Sequence, residues 1–277
     1  MSAHSGKWTG SSAFFATHPV FTHREFAVAH TARGRSESTS NAILARYVAS
    51  GRLIRVRRGL YAAVPVGRER GGFVPDAFLV AAKSQDDAVL GYHTALSFHG
   101  TAYSVWWRFQ VITSRRVRRF THGNEQFVCI QAPTEVRTLP DFGGGVSCRP
   151  YGGAEVRVTT IERTLVDLMH APQHGGGWEE IWRSLETVEF LDLGAVVEHA
   201  LRMRTALTAA RVGFFLEQHR KQWMVEDKHL APLLGAKPKQ PLHWDRRREP
   251  GTLQTRWNLL VPDMVLHRLW EEPSEAV

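Results

Sequence analysis

Guanidinium groups are the side chains of this 277-residue sequence with the clearest chemical direction. Residues 22–70 hold ten arginines against three glutamates, which places +7 of the chain's net +8 in that one stretch. A guanidinium is permanently charged, and its planar fork of donors matches two phosphate oxygens at once, so a dense run of them points to a polyanion. Arg55, Arg57 and Arg58 lie in RLIRVRRGLYAAVP with Ile54 and Val56 interleaved. That is the alternation of a hairpin with one apolar and one basic side. Upstream, Ser40, Asn41, Ala45 and Arg46 fall on one face of a helical stretch, short polar or small groups beside one long cation. Such a face suits a major groove, where Asn pairs bidentately with adenine and Ser reads other base edges. Arg46 and the hairpin arginines are candidates for phosphates or the minor groove, with Arg33 and Arg35 of HTARGRSES as further phosphate contacts.

A second basic block, SRRVRRF, carries Arg115, Arg116, Arg118 and Arg119 without an acid. It is open to three readings: a second nucleic-acid contact, a seat for an acidic partner surface, or a solvated hairpin. Catalytic chemistry is harder to find. A metal-dependent nuclease needs paired carboxylates and a lysine; Glu226-Asp227-Lys228 supplies an E-x-K, but the Pro-Asp pairs at Asp141 and Asp263 lie far upstream and downstream of it. No Walker A loop, HExxH motif, dinucleotide glycine fingerprint or G-x-S-x-G elbow occurs. Without that elbow, the HGGG run at 174–177 reads as a turn. His93 and His99 stand six apart and do not share a helix face, so core or capping roles are expected. Cys129 and Cys148 are the only cysteines, too few for a disulfide framework and without zinc-site spacing. No catalytic residue, metal or cofactor is expected.

Several local signals say which elements position the basic residues. Thr22 as N-cap with Glu25 three residues on forms a capping box, flanked by Phe21 and Phe26 at the hydrophobic-staple positions. Ser38, Thr39 or Ser40 is placed to cap a second helix whose Ile43, Leu44, Tyr47 and Val48 share one face, with Gly51 ending it. Arg58-Gly59 makes the hairpin turn and Leu60-Tyr61-Ala62 the return strand. Together these predict a winged helix-turn-helix over 19–65, preceded by a flexible N-terminus at 1–18 and followed by a linker at 66–75. A C-terminal domain then fills 76–277. There Asp76 caps AFLVAAK, and Leu90, Tyr92, Ala95, Leu96 and Phe98 belong to a buried helix ended by Gly100. VWWRFQVIT, FVCIQA, VSCRP and EVRVTT read as strands, Thr159 and Glu162 as a second capping box, and the chain from Trp178 as a helical bundle. The fold class is α+β: the winged unit, then a larger mixed α/β domain with a helical C-terminal part. No apolar run spans a membrane and the N-terminus lacks a signal-peptide core, so a cytoplasmic protein is expected.

At this level a family likeness emerges. FTHREFAVAH and GRLIRVRRGLYAAVP resemble the N-terminal winged-helix domain of AbiEi-type antitoxins, the transcription-regulating members of type IV toxin–antitoxin pairs linked to abortive phage infection. YHTALSFHG and VTTIERTLVDLMHAP are similar to two later stretches of that family, and RWNLLVPDMVLHRLWEE to its closing segment, so the likeness runs over about residues 20–270. It implies a protein that binds inverted repeats in its own promoter as double-stranded DNA and represses it, self-associating on the DNA. The C-terminal domain would supply antitoxin activity against a nucleotidyltransferase toxin, without a stable complex. The chain has no G-S…D-x-D motif and so resembles the antitoxin, not the toxin. One departure is HTARGRSES, longer and more basic than the short turn expected before a recognition helix. Two other readings stand beside this one: a nuclease targeted by the same winged unit, and a transcription factor without a toxin partner.

Overall fold

The computed structural model describes residues 11–32, 37–68, 70–245 and 247–270, a mixed α+β arrangement. It opens with α1 (Ser11–Thr17), β1 (Val20–Thr22), α2 (His23–Thr31), α3 (Glu37–Ala49), β2 (Leu53–Arg57) and β3 (Leu60–Ala63). The capping box forms as the spacing predicts: Thr22 accepts from the Glu25 backbone N–H, and Glu25 accepts from the Thr22 N–H at 2.7 Å. Phe21 and Phe26 meet with ring centroids 5.9 Å apart. Gly51 closes α3 at φ +74°, and Gly59 takes φ +79° in the hairpin turn, conformations a side chain would strain. The strands form an antiparallel sheet in the order β1-β3-β2.

Residues 11–17, expected to be loosely held, instead form α1. Phe14 is buried against Phe21 and Phe26 in the core that the three helices make with one face of this sheet. The apolar content of SSAFFAT outweighs its small polar neighbours. The helix cap also differs from expectation: Ser38, Thr39 and Ser40 all lie inside α3.

After a 3₁₀ turn (Arg70–Gly72) come α4 (Ala77–Ala82), β4 (Val89–Leu90), α5 (Tyr92–His99), β5 (Arg108–Thr113), β6 (Phe120–His122), β7 (Glu125–Gln131), β8 (Val146–Tyr151) and β9 (Ala154–Thr159). Asp76 caps α4 and Gly100 ends α5, as read from the sequence. Leu90 belongs to β4 and not to the helix, because Gly91 breaks the element between them. The six strands order as β6-β7-β5-β4-β9-β8, with β5–β7 and β4–β9 parallel.

The second face of the N-terminal sheet is not solvated. Val20, Ile54, Val56, Leu60 and Ala62 share one core with Ala77, Leu79, Val80, Leu90 and Val158. The N-terminal sheet is thus packed on both sides, by its own helices and by the six-stranded unit.

A helical layer follows: α6 (Ile161–His170), α7 (Trp178–Glu186), α8 (Leu193–Arg202), α9 (Ala206–Gln218) and α10 (Asp227–Gly235). Thr160, not Thr159, caps α6; Thr159 is buried at the end of β9, hydrogen-bonded to Thr164. Within this layer the buried pair Arg163–Asp167 lies at 3.2 Å, with His199 3.5 Å from the other Asp167 oxygen. The described residues close with a small sheet the sequence did not announce, β10 (Leu242–His243), β11 (Gly251–Gln254) and β12 (Leu259–Pro262), then α11 (Asp263–Leu266). Trp244, Trp257, Leu259 and Val261 are buried there, completing the helical core.

Candidate nucleic-acid interface

Two hydrogen bonds assemble the exposed basic edge of the N-terminal unit. The His23 backbone N–H, in the first turn of α2, donates to the Gly59 carbonyl at 2.8 Å. The same residue's Nε2 lies 2.8 Å from Asn41 Oδ1 on α3. The path Gly59–His23–Asn41 therefore sets the hairpin turn beside the exposed face of α3. That face carries Asn41, Ala42, Ala45 and Arg46, all open to solvent, while Leu44 is buried. Arg46 and Arg52 lie at 5.5 and 5.7 Å from the Tyr47 ring centroid, which holds both cations close to the helix surface. Arg55 and Arg58 are exposed on the hairpin.

Four expected contacts are corrected or fall outside the described residues. Ser40 is fully buried and does not face outward. Since α3 already includes Glu37, Ser40 lies one helical turn before Leu44 on the core face. Arg57 also departs from the expected pattern. A bulge between Arg55 and Arg57 sets Arg57 opposite Leu60, on the face packed against the six-stranded unit, whereas Arg55 stands opposite Tyr61. The Arg57 guanidinium donates to the Ser84 carbonyl and lies 4.6 Å over the Phe120 ring. Burial lowers its pKa from the usual guanidinium value. Arg33 and Arg35 lie outside the described residues.

The second basic block is brought to this edge by the fold. Arg115, Arg116, Arg118 and Arg119 are all exposed on the connection from β5 to β6. Ser114, just before them, donates from its N–H and Oγ to Asp87 at 2.8 and 2.5 Å. Between that connection, the hairpin turn and the first turn of α2 lies a cleft of about 620 Å³. Lys83 and Arg24 also line it, neither of them flagged by the sequence. Lys83 pairs with Glu25 across the two units, and Arg24 with Asp86 at 3.2 Å. Burial would raise the Glu25 pKa, but the Lys83 and Thr22 donors outweigh it and hold the carboxyl below its ordinary range. Nothing local in sequence marks Lys83, because its partner Glu25 is 58 residues away.

The side chains weighed for catalysis are each engaged with protein partners. Glu226 caps α10, Lys228 pairs back to Glu226 at 3.0 Å, and Asp227 accepts from Arg220 at 2.6 Å. Asp141 binds Arg157 and Asp263 accepts from Thr252. Among the described residues no group of three or more His, Cys, Asp or Glu is gathered for a metal ion. His93 is buried, stacked on Trp106 at 3.8 Å and 2.9 Å from Glu180. Its burial depresses the imidazole pKa against the pull of Glu180. His99 donates to the Thr159 carbonyl at 2.7 Å. Gly177, the last of the HGGG run, is the turn residue before α7.

Comparison with known proteins bears on the same elements. Residues 12–64, spanning all of these N-terminal elements but the first residue of α1, match the family model described as transcriptional regulator, AbiEi antitoxin. No curated protein matches the sequence. Among solved structures, the crystal structure of the RV2827C protein from Mycobacterium tuberculosis is similar, with a TM-score of 0.54 at 15% identity over 95% of each chain. At that identity the likeness concerns the fold alone. No helix among the described residues is long and apolar enough to cross a membrane.

Proposed function

We propose that this chain is a cytoplasmic DNA-binding antitoxin that represses its own promoter. The N-terminal unit acts as a winged helix: α3 enters the major groove with Asn41 at base edges, and Arg46, Arg55 and Arg58 meet phosphates or the minor groove. Residues 76–277 counteract a nucleotidyltransferase toxin without a stable complex, and promote self-association on inverted repeats. The protein performs no catalysis in this scheme.

The observation that carries the reading is a coincidence of place. The residues matching the antitoxin-regulator family are the same ones that set the exposed face of α3 beside the basic hairpin turn. A polyanion-binding term of this kind is steep in salt, since each neutralised phosphate releases counterions.

A gel-shift titration of the full chain on the duplex upstream of its own gene, against a scrambled duplex of equal length, tests DNA recognition. A discrete, cooperative shift favouring the native duplex is expected, together with rescue of cells expressing the nucleotidyltransferase toxin that this reading requires. Equal binding to both duplexes would remove the repressor assignment, and failure of rescue would remove the antitoxin one.

A further inference from the structure

The cleft beside the hairpin turn is lined by five cationic side chains, Arg24, Arg57, Arg58, Lys83 and Arg115, against two carboxylates, Asp86 and Asp87. Much of this charge is engaged: Arg24 with Asp86, Lys83 with Glu25, and Asp87 with Ser114. Arg58 and Arg115 form no ion pair among the described residues, and the Arg57 Nε is buried without a hydrogen-bond partner. Arg58 of the N-terminal unit and Arg115 of the six-stranded unit thus line one cleft with no carboxylate paired to either. Like charges held together in this way stabilise a bound anion, and paired guanidinium groups fit a phosphate best.

We propose that the cleft is a phosphate-binding site built jointly by both units, with Arg58 and Arg115 as its principal ligands. It rests on the DNA reading for its occupant, a backbone phosphate of the bound duplex. Gly59 and His23 line the cleft and His23 also holds Asn41, so in this reading a strand whose bases meet Asn41 passes over the cleft. Arg116, Arg118 and Arg119 extend the same track along the six-stranded unit. The C-terminal part of the chain then contributes directly to DNA affinity, in addition to any role in self-association. A free phosphorylated small molecule has the same chemistry and is the other source to be distinguished.

The test compares the full-length chain with its Arg115→Ala and Arg58→Ala variants, both at exposed positions that leave the cores intact. Binding to the upstream duplex is measured across salt concentrations, and melting temperature with and without pyrophosphate. For a duplex phosphate, Arg115→Ala weakens binding about tenfold, equally on native and scrambled duplexes, and lowers the salt slope by about one. An unchanged slope, with pyrophosphate stabilising the parent chain but not Arg115→Ala, keeps the site and assigns it to a free phosphorylated compound. If Arg115→Ala alters neither the slope nor the pyrophosphate response, the site is overturned. Loss of all duplex binding by the parent chain, with the pyrophosphate response intact, would sink the DNA reading and leave the site standing.

Discussion

The Arg57 guanidinium lies 4.6 Å above the Phe120 ring, joining a residue of the N-terminal hairpin to the six-stranded unit. It also donates to the Ser84 carbonyl, so an arginine placed by its sequence among DNA contacts is a strut between units.

Replacing Arg57 therefore has a different consequence from replacing its neighbour. Arg57→Ala removes a half-buried cation–π contact and a charge-assisted hydrogen bond, and is expected to lower stability by about 1–3 kcal/mol. Arg58→Ala at the exposed turn should change stability by less than about 0.5 kcal/mol while lowering the DNA salt slope by about one. Urea midpoints and salt titrations on both variants check this. A stable Arg57→Ala chain with a reduced slope would return Arg57 to the DNA face.

The shared core has a consequence for truncation. A fragment ending at residue 70 leaves Val20, Ile54, Val56, Leu60 and Ala62 facing water, since their partners are Ala77, Leu79, Val80 and Leu90. Each larger aliphatic side chain so exposed costs about 1.5–3 kcal/mol. The isolated fragment should associate or bind a hydrophobic dye, and melt well below the full chain. A monodisperse, dye-silent fragment with the full chain's melting temperature would show that the hairpin's second face is dispensable.

How far the sequence reveals this molecule depends on the range of the interaction. Thr22 with Glu25, Asp76 before α4, and Gly100 after α5 act over three or four residues, and each was legible. Leu44 as core and Asn41 as surface followed from helical period alone. Arg57 was misplaced because a bulge breaks the alternation one residue before the turn, and nothing in RLIRVRRG announces it. Ser40 was misplaced by a helix that begins earlier than its capping serines. The place of Lys83, and the cleft that Arg115 shares with Arg58, depend on the packing of two separate sheets, which no local pattern carries.

Deeper in the chain, Asp167 sets a pH limit on the helical layer. Burial alone would raise its pKa, but Arg163 and His199 outweigh that and hold the carboxyl below the ordinary aspartate value of about 3.9. The unfolded chain therefore takes up this proton at higher pH than the folded one. Its contribution is complete above the ordinary value and is lost as pH falls through the lower folded one. Urea midpoints measured from pH 7 down to pH 3 should drop steeply below about pH 4. Asp167→Asn should cost about 3–5 kcal/mol at pH 7, since Arg163 is left buried without its carboxylate, and should flatten that acid slope. An unchanged slope would place the acid sensitivity elsewhere, at Glu25, Glu180 or Asp227, the other carboxyls held below their ordinary range.

Asn41 and Ser40, adjacent on α3, separate recognition from packing. Asn41 is exposed, and its Oδ1 is held by His23 at 2.8 Å, a bond that fixes the side chain before any DNA arrives. Asn41→Ala is expected to relax sequence preference at one base position at a cost of about 1–3 kcal/mol, with the salt slope and stability unchanged. His23→Ala should weaken the same preference less, by freeing the amide without removing it. Ser40 has no exposed surface, so Ser40→Leu overpacks the core and lowers the melting temperature by an amount worth about 1–3 kcal/mol, leaving base preference in the surviving folded protein intact. Competition shifts with duplexes mutated one position at a time decide between these. Should Ser40→Leu change the preferred base while Asn41→Ala does not, α3 would be rotated on the DNA by about one residue from the placement proposed above.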